Sequence, residues 1–428
     1  MKQKHRSYKL KKDLTLLNVV LLGIGIILGA GVYALIGVGA GLAGNMLWAA
    51  FAISALIAIF SGLSYAELSS VFSSDAAEYN YTKKAFKREW LSFSVSWIVI
   101  VAGIISAATV AIGFGGYFSH ILGGDINVIA SILIILLSAL SYFGIKDSAR
   151  FNNIASVIEI SGLILIIAVG VVFFGKNNVN YFELPATGFS GLLSAVAIVF
   201  FAYIGFEGMV NLSEEVKDSK KILPKALIIS ILISTALYIL VSASAINILG
   251  AEGLAKSNAP LTETISKVLP NGSFIMSIIA LFATGNTVLI ILIVISRIIY
   301  GMSKENTFPK IFSSVGKRRT PYISIAMVGA IGAILAFIGN LKFIASMTDL
   351  GVFIVYTFVN ISLIKIRYSS GYKAGFKSPS IGRFPVLAFL GMLSTIFMFF
   401  YFEWTVWALE AAVIILGLLI FGALKRRH

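Results

Sequence analysis

The chain contains no cysteine and only three histidines, at positions 5, 120 and 428. Without cysteine it can form no disulfide and offers neither a thiolate nucleophile nor a sulfur ligand to a metal. No metalloprotease, serine-hydrolase or nucleotide-binding motif is present, which argues against an enzyme and against an ATP-driven pump. We therefore expect no catalytic residue, no metal, no cofactor and no disulfide-linked subunit.

Charge is also scarce. Of the 428 residues, 12% are charged and 58% are hydrophobic, whereas a soluble domain carries about 25% charged residues. A soluble chain of this length would need more charge to cover its surface. Together with the mean hydropathy of +0.94, the composition predicts an all-α integral membrane protein.

Twelve apolar segments are long enough to be membrane-spanning helices. They run near 18–38, 47–71, 92–119, 128–143, 152–174, 190–212, 225–249, 273–300, 322–338, 344–364, 384–402 and 404–423. Positions 1–428 are predicted to form a single membrane domain without an added soluble module. The longest connections follow spans 2 and 7.

Lysine and arginine predict the orientation of the spans. With the N-terminus in the cytoplasm, 30 of the 34 basic residues lie in inside segments and only four lie in outside loops. Positive residues concentrate in cytoplasmic loops, so we expect a multi-pass protein of the cytoplasmic membrane with both termini inside. The anionic inner leaflet of the lipid bilayer attracts these basic segments, which accounts for the net charge of +15. No nucleic acid partner is therefore expected.

Glycines interrupt two of the predicted spans. Span 1 carries Gly29 and Gly31 with Ala30 between them, and span 6 carries Gly205 near mid-span, followed by Glu207. An unwound stretch exposes backbone groups that lipid cannot pair but a polar solute can. Half-helix ends suit the carboxylate and the ammonium of an amino acid. Paired interruptions predict a transporter site; close helix packing through small residues is the alternative.

Several segments between about positions 15 and 325 resemble, in order, the motifs of amino acid–polyamine–organocation transporters. The matching segments are Gly29-Ala30-Gly31-Val32-Tyr33, Tyr65-Ala66-Glu67-Leu68, Gly144 to Arg150, Phe200 to Glu207, Glu214-Glu215, Pro224-Lys225-Ala226, Ser296 to Met302 and Thr320-Pro321. The resemblance implies the leucine-transporter fold, with inverted repeats over about 14–175 and 189–366. Spans 11 and 12, at about 384–424, would be peripheral.

The resemblance further implies secondary transport by alternating access, with the substrate held at the two breaks. The span 1 break would offer N–H groups to a carboxylate, and the span 6 break would offer carbonyls and aromatic cover to an amino group. The implied substrate-binding residues are Gly29, Ala30, Gly31, Phe201, Ala202, Tyr203 and Gly205.

One segment departs from the family pattern. After span 2 the family usually has a proline and a glycine pair before its tyrosines, whereas this chain reads Phe72-Ser-Ser-Asp75-Ala-Ala-Glu78-Tyr79-Asn-Tyr81. The tyrosines are kept, but the details of the inner gate cannot be transferred to this segment.

Two carboxyls at membrane depth, Glu159 and Glu207, are candidates for ion coupling or gating. An ionisable residue inside a span is expensive to bury and indicates function. Burial favours the neutral carboxyl, so either group could take up and release a proton, and oxygen ligands could alternatively bind sodium. Some family members carry lysine where this chain has Glu159, so their mechanism does not transfer. A capping or packing role is the alternative for both.

These features predict a secondary transporter of amino acids that is driven by protons. An exchanger of amino acids or polyamines without net ion coupling is the nearest alternative. A sodium-coupled symporter of another small solute and a non-transporting sensor are further alternatives.

Overall fold

The computed structural model describes residues 12–72, 74, 76–257, 259–269, 272–338 and 341–426. Within these ranges the chain is helical, and its only β pairings are two isolated bridges. The helices are α1 (Leu16–Ala43), α2 (Leu47–Val71), α3 (Ala77–Phe86), α4 (Glu89–Leu122), α5 (Ile126–Phe143), α6 (Ile145–Phe173), α7 (Gly188–Val199), α8 (Ser219–Leu249), α9 (Ala251–Lys256), α10 (Pro260–Ser266), α11 (Gly272–Lys304), α12 (Tyr322–Ile338), α13 (Leu341–Arg367), α14 (Val386–Met398) and α15 (Trp404–Lys425).

The long helices have the length and composition of membrane spans. Ten helical stretches in the described residues are long and apolar enough to cross a membrane, and α12 and α14 are shorter apolar helices. The prediction of an all-helical, multi-pass membrane protein is therefore confirmed. The two long connections predicted after spans 2 and 7 contain the short helices α3, α9 and α10.

The predicted interruption of span 6 is present. Helix α7 ends at Val199, a 3₁₀ turn covers Phe200–Tyr203, and a second 3₁₀ segment covers Phe206–Leu212. Between them Ile204 is extended and Gly205 has a φ of +117°. Glycine reaches this backbone region at no steric cost because it lacks a Cβ atom, so the sequence places the break here. We call residues 200–212 the helix 6 break, because they interrupt predicted span 6; the break is not part of helix α6.

The predicted interruption of span 1 is wrong for this structure. Helix α1 continues through Gly29, Ala30 and Gly31 without a break. The glycines serve close packing instead: a Cβ atom on Gly31 would lie 2.2 Å from the Cα atom of Ala202, and one on Gly29 would lie 1.6 Å from Oγ1 of Thr287. Because the α-helix already pairs its own backbone groups, α1 can approach its neighbours closely without leaving polar atoms unpaired.

Buried ion pairs hold one end of the bundle together. The fully buried guanidinium of Arg297 on α11 donates to both carboxylate oxygens of Glu215, at 3.0 and 3.1 Å. Next to it, the backbone of Leu14, just before α1, pairs with that of Glu215 and Lys217. We call this end of the molecule the basic end. The buried Glu67–Arg367 pair also lies there.

We expect Arg297→Met to lower the stability of the protein strongly. The substitution leaves the Glu215 carboxylate buried without its partner, a change that destabilises proteins by about 3–5 kcal/mol. The apparent melting temperature in detergent should fall, and the double variant Arg297→Met/Glu215→Leu should recover much of the loss. Lys304→Met is the control, because the Lys304–Glu214 pair is partly exposed. Equal melting temperatures for the Arg297 and Lys304 variants would contradict this account.

Candidate functional site

A cavity lies beside the helix 6 break and is lined by α1, α4, α11 and α13. Its volume is about 60 Å³, which corresponds to a small cluster of water molecules. Gly205, at the turn of the break, forms part of its wall. The break therefore does not face lipid; it is buried in protein and borders a cavity, two settings in which irregular backbone is tolerated at membrane depth.

Most of the cavity wall is apolar. The aliphatic and aromatic lining residues are Ile26, Ile27, Val99, Ala102, Val110, Phe201, Ile204, Ile291, Val294, Ile295, Val352 and Val355. Polar lining residues are few, and four of the six lie on the break or on α13: Ser106, Glu207, Asn211, Thr287, Thr348 and Tyr356. The arrangement suits a ligand with an apolar body and a small polar head.

Glu207 is the carboxylate of this wall. It is 9% exposed, and its Oε2 atom accepts hydrogen bonds from the backbone N–H of Gly205 at 2.9 Å and from the Tyr356 hydroxyl at 2.5 Å. The first bond satisfies a donor freed by the break, and the second ties the break to α13. Glu207 thus stabilises the interrupted backbone and links two helices across the cavity.

The structure brings four of the predicted site residues to the same cavity: Gly31, Phe201, Gly205 and Glu207. Their roles stay predictions. Gly29 is buried but packs against Thr287 rather than lining the cavity. Ala30 lies within α1, and its side chain is outside the described part of the chain.

Two further predicted residues point elsewhere. The carbonyl oxygen of Ala202, expected to be free for a substrate, accepts a hydrogen bond from the Tyr238 hydroxyl at 2.9 Å. The Tyr203 hydroxyl donates to the carbonyl of Phe51 on α2 at 3.1 Å, away from the cavity. The Tyr238 hydroxyl also contacts the carbonyl of Ile27, so one side chain from α8 joins α1 to the break.

Glu159 lies outside the cavity wall. It is fully buried on α6, and neither of its carboxyl oxygens has a hydrogen-bond partner among the described residues. Tyr33 on α1 and Tyr238 on α8 interact with it electrostatically. A buried carboxylate without partners is strongly disfavoured, so this arrangement suits the neutral acid.

A polar layer joins α1, α6 and α11 on the basic-end side of Glu159. The amide of Asn286 donates to Oδ1 of Asn152 at 3.0 Å, the hydroxyl of Ser156 donates to the carbonyl of Leu21, and that of Thr287 donates to the carbonyl of Gly25. Three helices are thereby held in register. Among the described residues, no group of three or more His, Asp or Glu side chains is placed to hold a metal ion.

At the basic end, Glu67 on α2 forms a buried pair with Arg367 on α13, with N–O distances of 2.6 and 2.5 Å. The backbone N–H and the hydroxyl of Ser378 also donate to Glu67, each at 2.7 Å, and the Tyr372 hydroxyl donates to it as well. The segment after α13 therefore closes over the end of α2.

Sequence reasoning missed several residues that shape the site. Asn211 lies four residues beyond Glu207, a spacing that would place both on one face of a regular α-helix, whereas the structure has a 3₁₀ segment here. Glu78 stood out only as a departure from a motif. Tyr356 and Tyr238 meet the break from helices more than 30 residues away in sequence, and no local signal identifies them.

Comparison with known proteins gives consistent matches. Residues 14–420 match the sequence profile of a family described as amino acid permease. The branched-chain amino acid permease BcaP of Bacillus subtilis (strain 168) is 30% identical, with 98% of this chain and 94% of that protein aligned. The methylthioribose transporter of the same organism is 28% identical, with coverages of 99% and 95%. Cationic amino acid transporter 3, mitochondrial, of Arabidopsis thaliana is 28% identical, with coverages of 85% and 64%.

We expect Gly31→Ala to weaken the packing of α1 on the helix 6 break. The added methyl group would meet backbone atoms of Ala202, which cannot rotate away, and overpacking of this kind costs about 1–3 kcal/mol. Gly116→Ala on α4 is the matched control, since a Cβ atom there would meet no atom within 4 Å. Melting curves in detergent should show a lower apparent melting temperature for the Gly31 variant alone; identical curves would show that α1 does not pack this closely.

Proposed function

We propose, because this chain belongs to the amino acid permease family, that it is a secondary active transporter, which moves an amino acid across the cell membrane by alternating access and is coupled to protons. The family membership supports amino acid transport by a multi-pass membrane protein.

The observation that carries the proposal is the helix 6 break beside a cavity lined by four other helices. Gly205 turns the chain, and Phe201, Ile204 and Gly205 line the space. A bound amino acid would place its ammonium group near Glu207 and the carbonyls of the break. Gly31 approaches the break from α1, so the carboxylate would lie between the two helices. In this conformation α1 is intact; substrate binding would require its glycine-rich stretch to open.

The pattern of helix packing supports two inverted repeats of five spans. The first five spans are α1, α2, α4, α5 and α6. They would correspond, in this order, to the next five spans, α7, α8, α11, α12 and α13. Corresponding helices touch directly in the pairs α2–α8, α4–α11, α5–α12 and α1–α7. Packed pairs also recur in matched form: α1–α8 with α7–α2, α4–α13 with α11–α6, and α4–α12 with α11–α5. This is the packing expected of a pseudo-two-fold axis. With α14 and α15, the proposed total is twelve spans.

The orientation follows from the basic end. Most lysines and arginines of the sequence fall in connections at this end, and such residues concentrate on the cytoplasmic side. We therefore assign the basic end to the cytoplasm, with both termini inside. The buried pairs Glu67–Arg367 and Glu215–Arg297 would then close the cytoplasmic exit from the cavity in this conformation.

The cavity wall favours a neutral amino acid with a branched aliphatic side chain. Val99, Ala102, Ile291, Ile295 and Val352 surround the space opposite the break, and an aliphatic side chain would replace water there. A cationic side chain would bury its charge against these residues at considerable free-energy cost. The name of the Bacillus branched-chain permease points to the same substrate class, whereas the methylthioribose transporter shows that relatives with other named solutes exist.

Two carboxyls can carry the coupling. Glu207 borders the cavity, where its protonation would change the charge offered to the substrate and weaken its bond with Tyr356. Glu159 interacts electrostatically with Tyr33 of α1 and with Tyr238, whose hydroxyl contacts the carbonyls of Ile27 on α1 and Ala202 in the break. Loss of its proton would leave an unpaired carboxylate in the core and so disfavour this conformation. Protonation thereby biases the equilibrium between the two access states.

Uptake into proteoliposomes tests the proposal. Labelled leucine, isoleucine and valine should accumulate under an inward proton gradient without sodium, and lysine should not. Exchange against preloaded amino acid without gradient-driven accumulation would indicate the exchanger. A requirement for sodium would indicate a sodium symporter. Binding without any flux would indicate a sensor and would overturn the proposed transport.

We expect Glu159→Gln to remove the response to the proton gradient while leaving substrate binding intact. The amide keeps the shape of the carboxyl but cannot release a proton. Accumulation should fall about tenfold or more, in line with typical coupling free energies. Glu410→Gln is the matched control. Glu410 on α15 is also a buried carboxyl, and one of its oxygens has no hydrogen-bond partner among the described residues. If Glu159→Gln transports with unchanged pH dependence, this assignment fails.

A further inference from the structure

A further buried carboxyl, that of Glu78, lies between the cavity and the basic end. It is in the first turn of α3 and is 0% exposed. No lysine or arginine of the described chain pairs with it. The family resemblance assigns it no role, since the usual motif has glycines in this region. Its partners come instead from the helix 6 break.

Asn211 connects Glu78 to the cavity. The amide nitrogen of Asn211 lies 3.2 and 3.0 Å from the two carboxyl oxygens of Glu78, and its Oδ1 atom accepts the backbone N–H of Ala77 at 2.9 Å. The same amide approaches the carbonyl of Glu207 at 3.5 Å. Asn211 also lines the cavity. One side chain thus borders the substrate space on one side and holds a buried acid on the other.

A tyrosine completes a path between the two acids. The buried hydroxyl of Tyr65 on α2 interacts electrostatically with Glu78, Glu207 and Tyr356, and its approach to Glu78 opposes the rise in the pKa of that carboxyl. The ring of Tyr65 packs against that of Tyr356, with 5.7 Å between centroids. Tyr356 donates to Glu207. Glu207, Tyr356, Tyr65 and Glu78 therefore form one buried cluster of interacting titratable groups.

The environment of Glu78 balances its charged and neutral forms. Burial raises the pKa of this carboxyl to about 7, although the Asn211 amide and its own backbone N–H at the start of α3 oppose the shift. Around α3, Tyr81 lies on the same helix and Lys365 of α13 covers Phe86 at its far end. Glu89 of α4 interacts with Tyr79 and Lys83 rather than with Glu78.

We propose that Glu78 is a second proton-binding residue, which exchanges the transported proton with Glu207 and fastens the helix 6 break to α3 when it is ionised. The proposal rests on the proposed proton-coupled transport. In the ionised state, the two amide contacts from Asn211 are charge-assisted and strong. Protonation removes the charge and weakens this tie, so arrival of a proton at Glu78 would release the break for opening at the basic end.

The transfer step is balanced. The O–H bond of the Glu207 acid breaks, and an O–H bond forms on the Glu78 carboxylate, so that one negative charge moves in the opposite direction. The Tyr65 hydroxyl can relay this transfer by donating its proton to Glu78 and accepting one from Glu207. It ends unchanged, and no further reactant is needed.

Glu78→Gln and Glu78→Asp in the full-length protein separate proton binding from structure. Glutamine keeps an oxygen for the Asn211 amide but cannot titrate, whereas aspartate can. In proteoliposomes with labelled L-leucine, Glu78→Gln should keep exchange against internal leucine but lose gradient-driven accumulation about tenfold or more, together with the pH dependence of exchange near pH 7. Glu78→Asp should retain both. Glu252→Gln is the control, because Glu252 is an exposed acid paired with Lys256.

A gradient response of Glu78→Gln equal to that of the wild type would overturn the proposal, and so would failure of both Glu78 variants in every assay while the control works. Infrared difference spectra in lipid need no transport and so separate this inference from the coupling itself. Between about pH 6 and about pH 8, the wild type should show a carboxyl band that Glu78→Gln lacks. Asn211→Leu should shift its transition upward by about one pH unit. Absence of the band, even in a wild type that shows no proton coupling, would refute the inference.

Discussion

The structure depends on new partners for the backbone polar groups that the helix 6 break frees from the helix. Inside a bilayer an unpaired N–H or C=O group costs several kcal/mol, so the chain can leave the helix only where other groups replace the lost partners. Gly205 permits the turn, Glu207 accepts its N–H, and Tyr238 donates to Ala202. These partners are side chains that can also rearrange. The replacement of backbone partners and the proposed switching of the transporter therefore involve the same few bonds.

The remaining polar contacts fall into two groups. One group holds helices in register, and the other closes the proposed exit at the basic end. Asn152, Ser156 and Asn286 hold α1, α6 and α11 in register. At the basic end, Glu67–Arg367 and Glu215–Arg297 join segments that are distant in sequence. Isolated buried ion pairs contribute little net stability, because desolvation offsets the attraction. Their value here is geometric: each closes a connection over the bundle end and would have to shift for a solute to leave.

The membrane helices and the helix 6 break could be predicted from the sequence. Long apolar runs indicate membrane helices, and a glycine beside a mid-span carboxylate indicates a break. Gly205 and Glu207 were identified on that basis. The continuity of α1 could not be deduced, since Gly29 and Gly31 permit unwinding and close packing equally well and only the neighbours Thr287 and Ala202 decide between them. Tyr356 and the Asn211–Glu78 contact were inaccessible for a related reason. They are long-range pairs that have no local periodicity.

The most direct measurement is a cryo-electron microscopy map of the protein in lipid nanodiscs with saturating L-leucine. The account predicts density for the amino acid in the cavity beside Gly205, with the ammonium group towards Glu207 and the side chain against Ile291, Ile295 and Val352. It also predicts that α1 opens near Gly29 to Gly31 to receive the carboxylate. Leucine density at another position, or an empty cavity in a preparation that demonstrably binds leucine, would contradict the assignment of the helix 6 break as the substrate site.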